Sequence, residues 1–228
     1  MLATLPKFTV ILIGFLFVWT LDGLVSRVQN ASTHFVDIFP GNMDDITALL
    51  NRTNRHLVIV TDFCAYGEYS NPEAYEKYRN AVERLPNPSH SRQIEIHTYD
   101  SQTGDKAIRD QLSDWDTIQK STTFKRYFEY HAKDPGNYPV PTSKDQLIGL
   151  MQRREQECID QFRSNSDISI RPTINRVLPV FLWLRDDQEA MFSIYNLGEN
   201  GSREATLVTN DPRLFLTLRD VAYHLGNQ

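Results

Sequence analysis

The chain of 228 residues is 40% hydrophobic and 23% charged, an ordinary composition for a globular domain with one sizeable core. Its formal net charge of -5 and dispersed lysines and arginines give no general electrostatic pull toward nucleic acid or anionic lipid, so no nucleic-acid partner is expected. Cys64 and Cys158 have neither CxxC nor zinc-type spacing, which leaves two buried free thiols as the expected state and one disulfide as the other arrangement.

The chain opens on the apolar run KFTVILIGFLFVWTLDGLV. Residues 5–25, at about 1.5 Å each in a helix, cover roughly the 30 Å of a bilayer's hydrocarbon core. Only poor small-residue cleavage positions follow, around Ala31 and Ser32, so an uncleaved single-pass anchor is expected rather than a removed signal. Lys7 on one flank balances Arg27 on the other, and the side of the soluble domain stays undetermined. The stretch VSRVQNASTHFVDIFPGN reads as a tether, which divides the chain into an anchor and tether over residues 1–33 and an α/β domain over residues 34–228. Sequons at Asn30, Asn51 and Asn200 matter only in a secretory setting.

Next, MDDITALLNR places Ile46, Leu49 and Leu50 on one helical face. HLVIV, residues 56–60, is a short continuous β-branched run, as in a strand buried on both faces. Asn71 and Pro72 give a capping side chain and a first-turn proline, and Tyr75, Tyr78, Val82 and Leu85 follow at helical spacing. QIEIHTY, residues 93–99, alternates as a second strand, so residues 56–100 predict a right-handed βαβ unit. Ile108, Leu112 and Trp115 fall on one helical face, and Phe124, Tyr127, Phe128 and His131 on another, before the breaker PGNYPVP. Ser143 and Gln146 open a long helix carrying Leu147, Met151, Cys158, Ile159 and Phe162, with Glu155 on the same stripe. LPVFLWL, EAMFSIY and REATLVT then read as antiparallel strands separated by RDD and GENGS, and NDP starts a last helix through Leu214, Leu218, Val221 and Leu225. The expected fold is α/β: a single mixed-sheet domain with a βαβ core, a helical insert, and C-terminal antiparallel strands plus a helix, preceded by a transmembrane helix.

The most informative connection is TDFCAYGEYSN, residues 61–71, between the first strand and its helix. Ligands of open α/β sheets bind beyond the carboxyl ends of the strands. Asp62, Glu68 and Ser70 bring acceptors and a hydroxyl, Tyr66 and Tyr69 bring flat apolar surface with a polar tip, and Gly67 permits a tight turn. A simple turn needs fewer unlike groups, although turn capping by Asp62 and solvation of Glu68 would account for part of the pattern. Asp100 ends the next strand and is expected to face Asp62 across adjacent loops, completing a candidate site of Asp62, Tyr66, Gly67, Glu68, Tyr69, Ser70 and Asp100. His97 lies within a strand pattern and His131 on an aromatic helix face, positions that suit packing. GxSxG, P-loop, HExxH and dinucleotide fingerprints are absent, and no metal or cofactor is expected.

The order of elements, and the ending FSIYNLGENGSREATLVTNDPRLFLTLRDVAYHL in particular, resembles one half of the phospholipase D-like fold. That family's signature is a histidine, one residue, a lysine, four residues and an aspartate. Aligned on Asp187, the histidine position holds Val180 and the lysine position Leu182. The resemblance therefore implies a degenerate member without the phosphoryl nucleophile or the phosphate-holding charge. The segment TDFCAYGEYSNPEAY also resembles membrane-tethered bacterial proteins of unassigned function.

These readings lead to a membrane-tethered, non-catalytic ligand-binding, sensing or scaffold module, in contact with the membrane through residues 5–25 and with a small ligand or a protein. Two others stand beside it. One is a metal-assisted or acid/base hydrolase using Asp62, Glu68, His97 and Asp100. The other is a protein-interaction module built on the tyrosine-rich loop.

Overall fold

The computed structural model describes residues 33–84, 93–134, 136–196 and 203–226. Their core is a sheet of seven strands in the order β1-β7-β6-β5-β2-β3-β4. β2 (His56–Val60), α2 (Pro72–Arg84) and β3 (Gln93–Tyr99) form the expected βαβ unit, with β2 and β3 parallel. β5 (Val180–Arg185), β6 (Glu189–Asn196) and β7 (Arg203–Thr209) are an antiparallel meander that joins β2 through β5. α7 (Pro212–Gly226) packs on strands β2 through β6. Before β2 runs α1 (Met43–Asn51), whose Met43, Ile46, Leu49 and Leu50 are wholly buried.

The helical insert is α3 (Ser101–Gln111), α4 (Trp115–Ile118), α5 (Thr122–Tyr130), a short 3₁₀ turn (His131–Lys133) and α6 (Lys144–Arg163). It encloses a second small core of Ile108, Leu112, Phe124, Tyr127, Phe128, Leu147, Ile148 and Leu150. The start signals act as their chemistry dictates: Asn71 Oδ1 accepts the Ala74 N–H, Ser143 Oγ accepts the Gln146 N–H, and Asp211 accepts the Arg213 and Leu214 N–H groups. His131 stacks on the Tyr138 ring, as a packing residue does.

Two strands correct the sequence reading. β1 (His34–Ile38), expected as tether, pairs antiparallel with β7, and β4 (Ile168–Ile174), not anticipated, pairs parallel with β3. Both are edge strands. β1 buries no side chain fully and so shows no apolar period, while Pro172 in β4 is tolerated because one side of an edge strand needs no ladder donor.

The β5–β6 turn is held by Asp186, which has φ of 52° and accepts the backbone N–H groups of Asn54, Arg55 and His56 at 2.8, 2.7 and 2.9 Å. The expected anchor over residues 5–25, the sequons at Asn30 and Asn200, Leu85 and the GENGS turn lie outside the described residues. Among the described residues no helix is long and apolar enough to cross a membrane.

Candidate functional site

β5 and β7 run opposite to β2, so their first residues and the last residue of β2 share one end of the sheet. The connection after Val60 lies at that end. Its backbone is fixed on one side by the Thr61 N–H donating to the His97 carbonyl and the Tyr99 N–H donating to the Asp62 carbonyl. On the other side Glu155 of α6 accepts the Cys64 N–H at 2.7 Å and the Ala65 N–H at 3.0 Å, one on each carboxylate oxygen. Gly67, at φ +83°, passes so close to Met43 that a Cβ there would meet its sulfur.

Inside this frame is a cavity of about 330 Å³. Asp62, Tyr66, Gly67, Glu68, Tyr69 and Ser70 all line it, joined by Glu155, by Glu204 of β7, and by an apolar wall that includes Phe39, Phe63, Ile108 and Phe181. Tyr66 is buried, its ring packed against Phe39, Tyr78, Phe181 and Trp183, and its hydroxyl donates to Glu204. Asn42, fully buried, donates to Thr206, which shares a hydrogen bond with Ser193. Tyr69 stacks at a tilt on Tyr127 and keeps its hydroxyl buried without a partner.

The carboxyls fall into two kinds. Glu68 is paired: Arg154 Nε donates to it at 2.9 Å, and that guanidinium also lies over the Tyr138 ring. Asp62, Glu155 and Glu204 have no ion pair among the described residues. Asp62, half-buried, is pushed up to about 7 by burial first and then by the negative fields of Glu204 and Glu155, against the lowering effect of the Phe63 N–H. Burial also lifts Glu155 to about 7 despite its two backbone donors, and raises Glu204. Three acidic groups thus share one end of the sheet, and near neutral pH Asp62 and Glu155 hold their protons about as readily as they release them. Among the described residues no group of three or more His, Cys, Asp or Glu is placed to hold a metal ion.

Asp100 of the expected site, and His97 of the alternative hydrolase, lie outside the cavity. Asp100 caps α3, accepting the Thr103 N–H at 2.7 Å, and lines an adjoining depression with Ser101, Asp105, Gln152 and Arg163, which shares the walls of Phe63, Ile108 and Glu155 with the cavity. His97 is fully buried against Gly226 of α7, where burial lowers its pKa, and it does not line the cavity. The hydrolase of Asp62, Glu68, His97 and Asp100 is therefore not assembled as one site. Tyr66 and Tyr69 turn inward, which gives the loop no flat exposed tyrosine patch for a protein partner. Glu155 carried a sequence signal, a charge on an apolar stripe. Glu204 carried only its place in a strand, and its inward direction depends on register with β6.

No protein-family model and no curated protein matches the sequence. Solved structures similar to the chain include TrmBL2, an archaeal chromatin protein described with a novel mode of DNA binding, at 9% identity and TM-score 0.45 over 97% of this chain and 62% of that one. The chain thus spans less than two thirds of that protein. Others are Nuc from Salmonella typhimurium, a phospholipase D family member, at 12% identity and TM-score 0.44 over 86% and 95%, and NucT from Helicobacter pylori, at 8% identity and TM-score 0.41 over 85% and 94%. The phospholipase D family, which the order of elements resembles, is among these neighbours. The partner expectations need correction: beside a neighbour described with DNA binding the exclusion of nucleic acid is left without support, and the membrane contact expected through residues 5–25 lies outside the described residues.

Proposed function

We propose that the domain is a ligand-binding module whose cavity takes a small organic cation with an apolar body. The observation that carries this reading is that Asp62, Glu155 and Glu204, without an ion pair among the described residues, meet an aromatic wall in one cavity of about 330 Å³. That volume is at the lower end of small-molecule sites, which run from about 300 to 1,000 Å³. An ammonium group there gains charge-assisted hydrogen bonds from carboxylates and a favourable field over aromatic faces, both strengthened by exclusion of water.

Binding without chemistry is the better fit to the residues at the resemblance's catalytic positions. Val180 and Leu182 offer no nucleophile and no cation, and Leu182 is wholly buried. Asp187, the remaining signature position, pairs with Arg219 at the far turn.

Isothermal titration of the full chain with benzylamine, tetramethylammonium and benzoate tests the reading. The cations are expected to bind, benzoate is not, and affinity should rise from pH 5.5 to 8.5 as the carboxyls release their protons. Asp62→Asn should weaken the cations about tenfold, roughly 1.4 kcal/mol. Equal binding of benzoate and benzylamine, or no heat from either cation at pH 8.5, would refute it.

A further inference from the structure

Cys158 lies three residues after Glu155 on α6, so the carboxylate and the thiol project from one face of the helix. Both meet the connection after β2. Glu155 holds the Cys64 and Ala65 N–H groups, and the sulfurs of Cys64 and Cys158 are 2.8 Å apart, both thiols being free and buried. A further 0.75 Å or so of approach would reach the bond length of a disulfide, about 2.05 Å. The Tyr75 hydroxyl donates to Cys158 Sγ at 3.3 Å and can stabilise charge developing there.

We infer that Cys64 and Cys158 form a reversible disulfide that fastens the 61–71 connection to α6, and that a low-molecular-weight disulfide is a competent oxidant. One cysteine thiolate attacks a sulfur of the oxidant RSSR and expels RS⁻, leaving a mixed disulfide. The second thiolate attacks the protein sulfur of that mixed disulfide and expels the other RS⁻. Two protein thiols and one RSSR thus become one protein disulfide and two RSH, the two protons passing to the leaving thiolates. Burial raises the Cys64 thiol well above its ordinary range, so the exchange is slow in the closed state and proceeds when the connection opens. Once closed, the bond spans 94 positions of sequence, a separation at which a cross-link removes much of the unfolded chain's freedom.

The test is incubation of the full chain with oxidised glutathione in native buffer, followed by unfolding, alkylation and non-reducing peptide mass analysis. The expected result is loss of two hydrogens, no alkylation at either cysteine, a peptide joining Cys64 to Cys158, and a Tm about 5 °C or more above that of the dithiothreitol-treated sample. Cys64→Ser should give no linked peptide. Full alkylation of both cysteines after a day with the oxidant, or stable glutathione adducts in place of the linked peptide, would overturn the inference. It does not depend on what occupies the cavity.

Discussion

Replacing Asp62 with asparagine should flatten the fall in stability that the wild type shows between acid and neutral pH. In the folded chain the Asp62 carboxyl keeps its proton up to about pH 7, whereas in the unfolded chain it releases it near 3.8. Below 3.8 both states are protonated and the group is neutral in its effect. As pH rises the unfolded state ionises first, so the advantage of the folded state is lost progressively until pH passes about 7. Three pKa units at 1.36 kcal/mol each give about 4 kcal/mol as the ceiling. Asp62 is half-buried and faces a cavity, so relaxation and water entry should leave about 2 kcal/mol. Asparagine keeps the acceptor for the Phe63 N–H, 2.8 Å from Oδ1, and cannot ionise. Urea unfolding of both proteins at pH 3, 4.5, 6, 7 and 8.5 reads the difference directly. Wild type and variant should differ by a constant at low pH, and the variant should gain about 2 kcal/mol on the wild type by pH 8.5. A gap unchanged across that range would show that the carboxyl is solvated as an ordinary aspartate and that the site is not desolvated.

Two further substitutions probe what holds the frame of the site. Glu155→Ala leaves the Cys64 and Ala65 N–H groups without their acceptors and should cost about 2–4 kcal/mol in urea unfolding, with Glu155→Gln, which retains one carbonyl, costing about half. A loss below 0.5 kcal/mol would mean that water replaces the carboxylate freely. Asp186→Ala removes the acceptor of three backbone N–H groups and strips a side chain whose local hydrogen bonding supports φ of 52°, so about 3 kcal/mol or more should disappear. Asp187→Ala, at an exposed neighbour with φ of 57° that accepts no such set of backbone N–H groups among the described residues, should cost about 1 kcal/mol on the same assay and isolates the share that backbone conformation contributes.

The parts of the fold legible in the sequence are those where one physical signal dominates. HLVIV is buried along its length because β3 and β5 flank it and helices cover it, and such a strand writes itself as an unbroken β-branched run. Asn71–Pro72 and Asp211–Pro212 announce helices because cap and proline act through the chain's own backbone. Edge strands give no such signal. β1 leaves Phe35 and Ile38 largely exposed, and β4 interrupts its isoleucines with serine, arginine and proline, since neither strand buries both faces. The site divides in the same way. Its contiguous residues could be read because unlike functional groups crowd one connection, but Glu155 and Glu204 come from elements separated from that connection by about 90 and 140 positions, as the hydrogen bonds to Ala65 and Tyr66 show. Asp100 was misplaced because a carboxylate at a strand end has a local use that competes with any site, the cap of the following helix.

The same burial that makes the three carboxyls costly alone sets the strength with which they answer a cation. A bound ammonium that returned Asp62 from about 7 toward 3.8 would recover the desolvation cost that the apo fold carries at neutral pH. Below pH 7 that recovery requires release of a proton, so the logarithm of affinity should climb with pH at a slope near one if Asp62 alone responds. With Glu155 also near 7, the slope should approach two when both carboxyls contact the ligand. Above pH 8 both are already ionised and the slope should vanish. A cavity that held its ligand by apolar contact alone would show no slope at any pH, because burial of aromatic surface exchanges no protons. The pH profile of binding therefore counts the carboxyls that touch the ligand, and the pH profile of stability, measured without ligand, supplies the free energy each one brings.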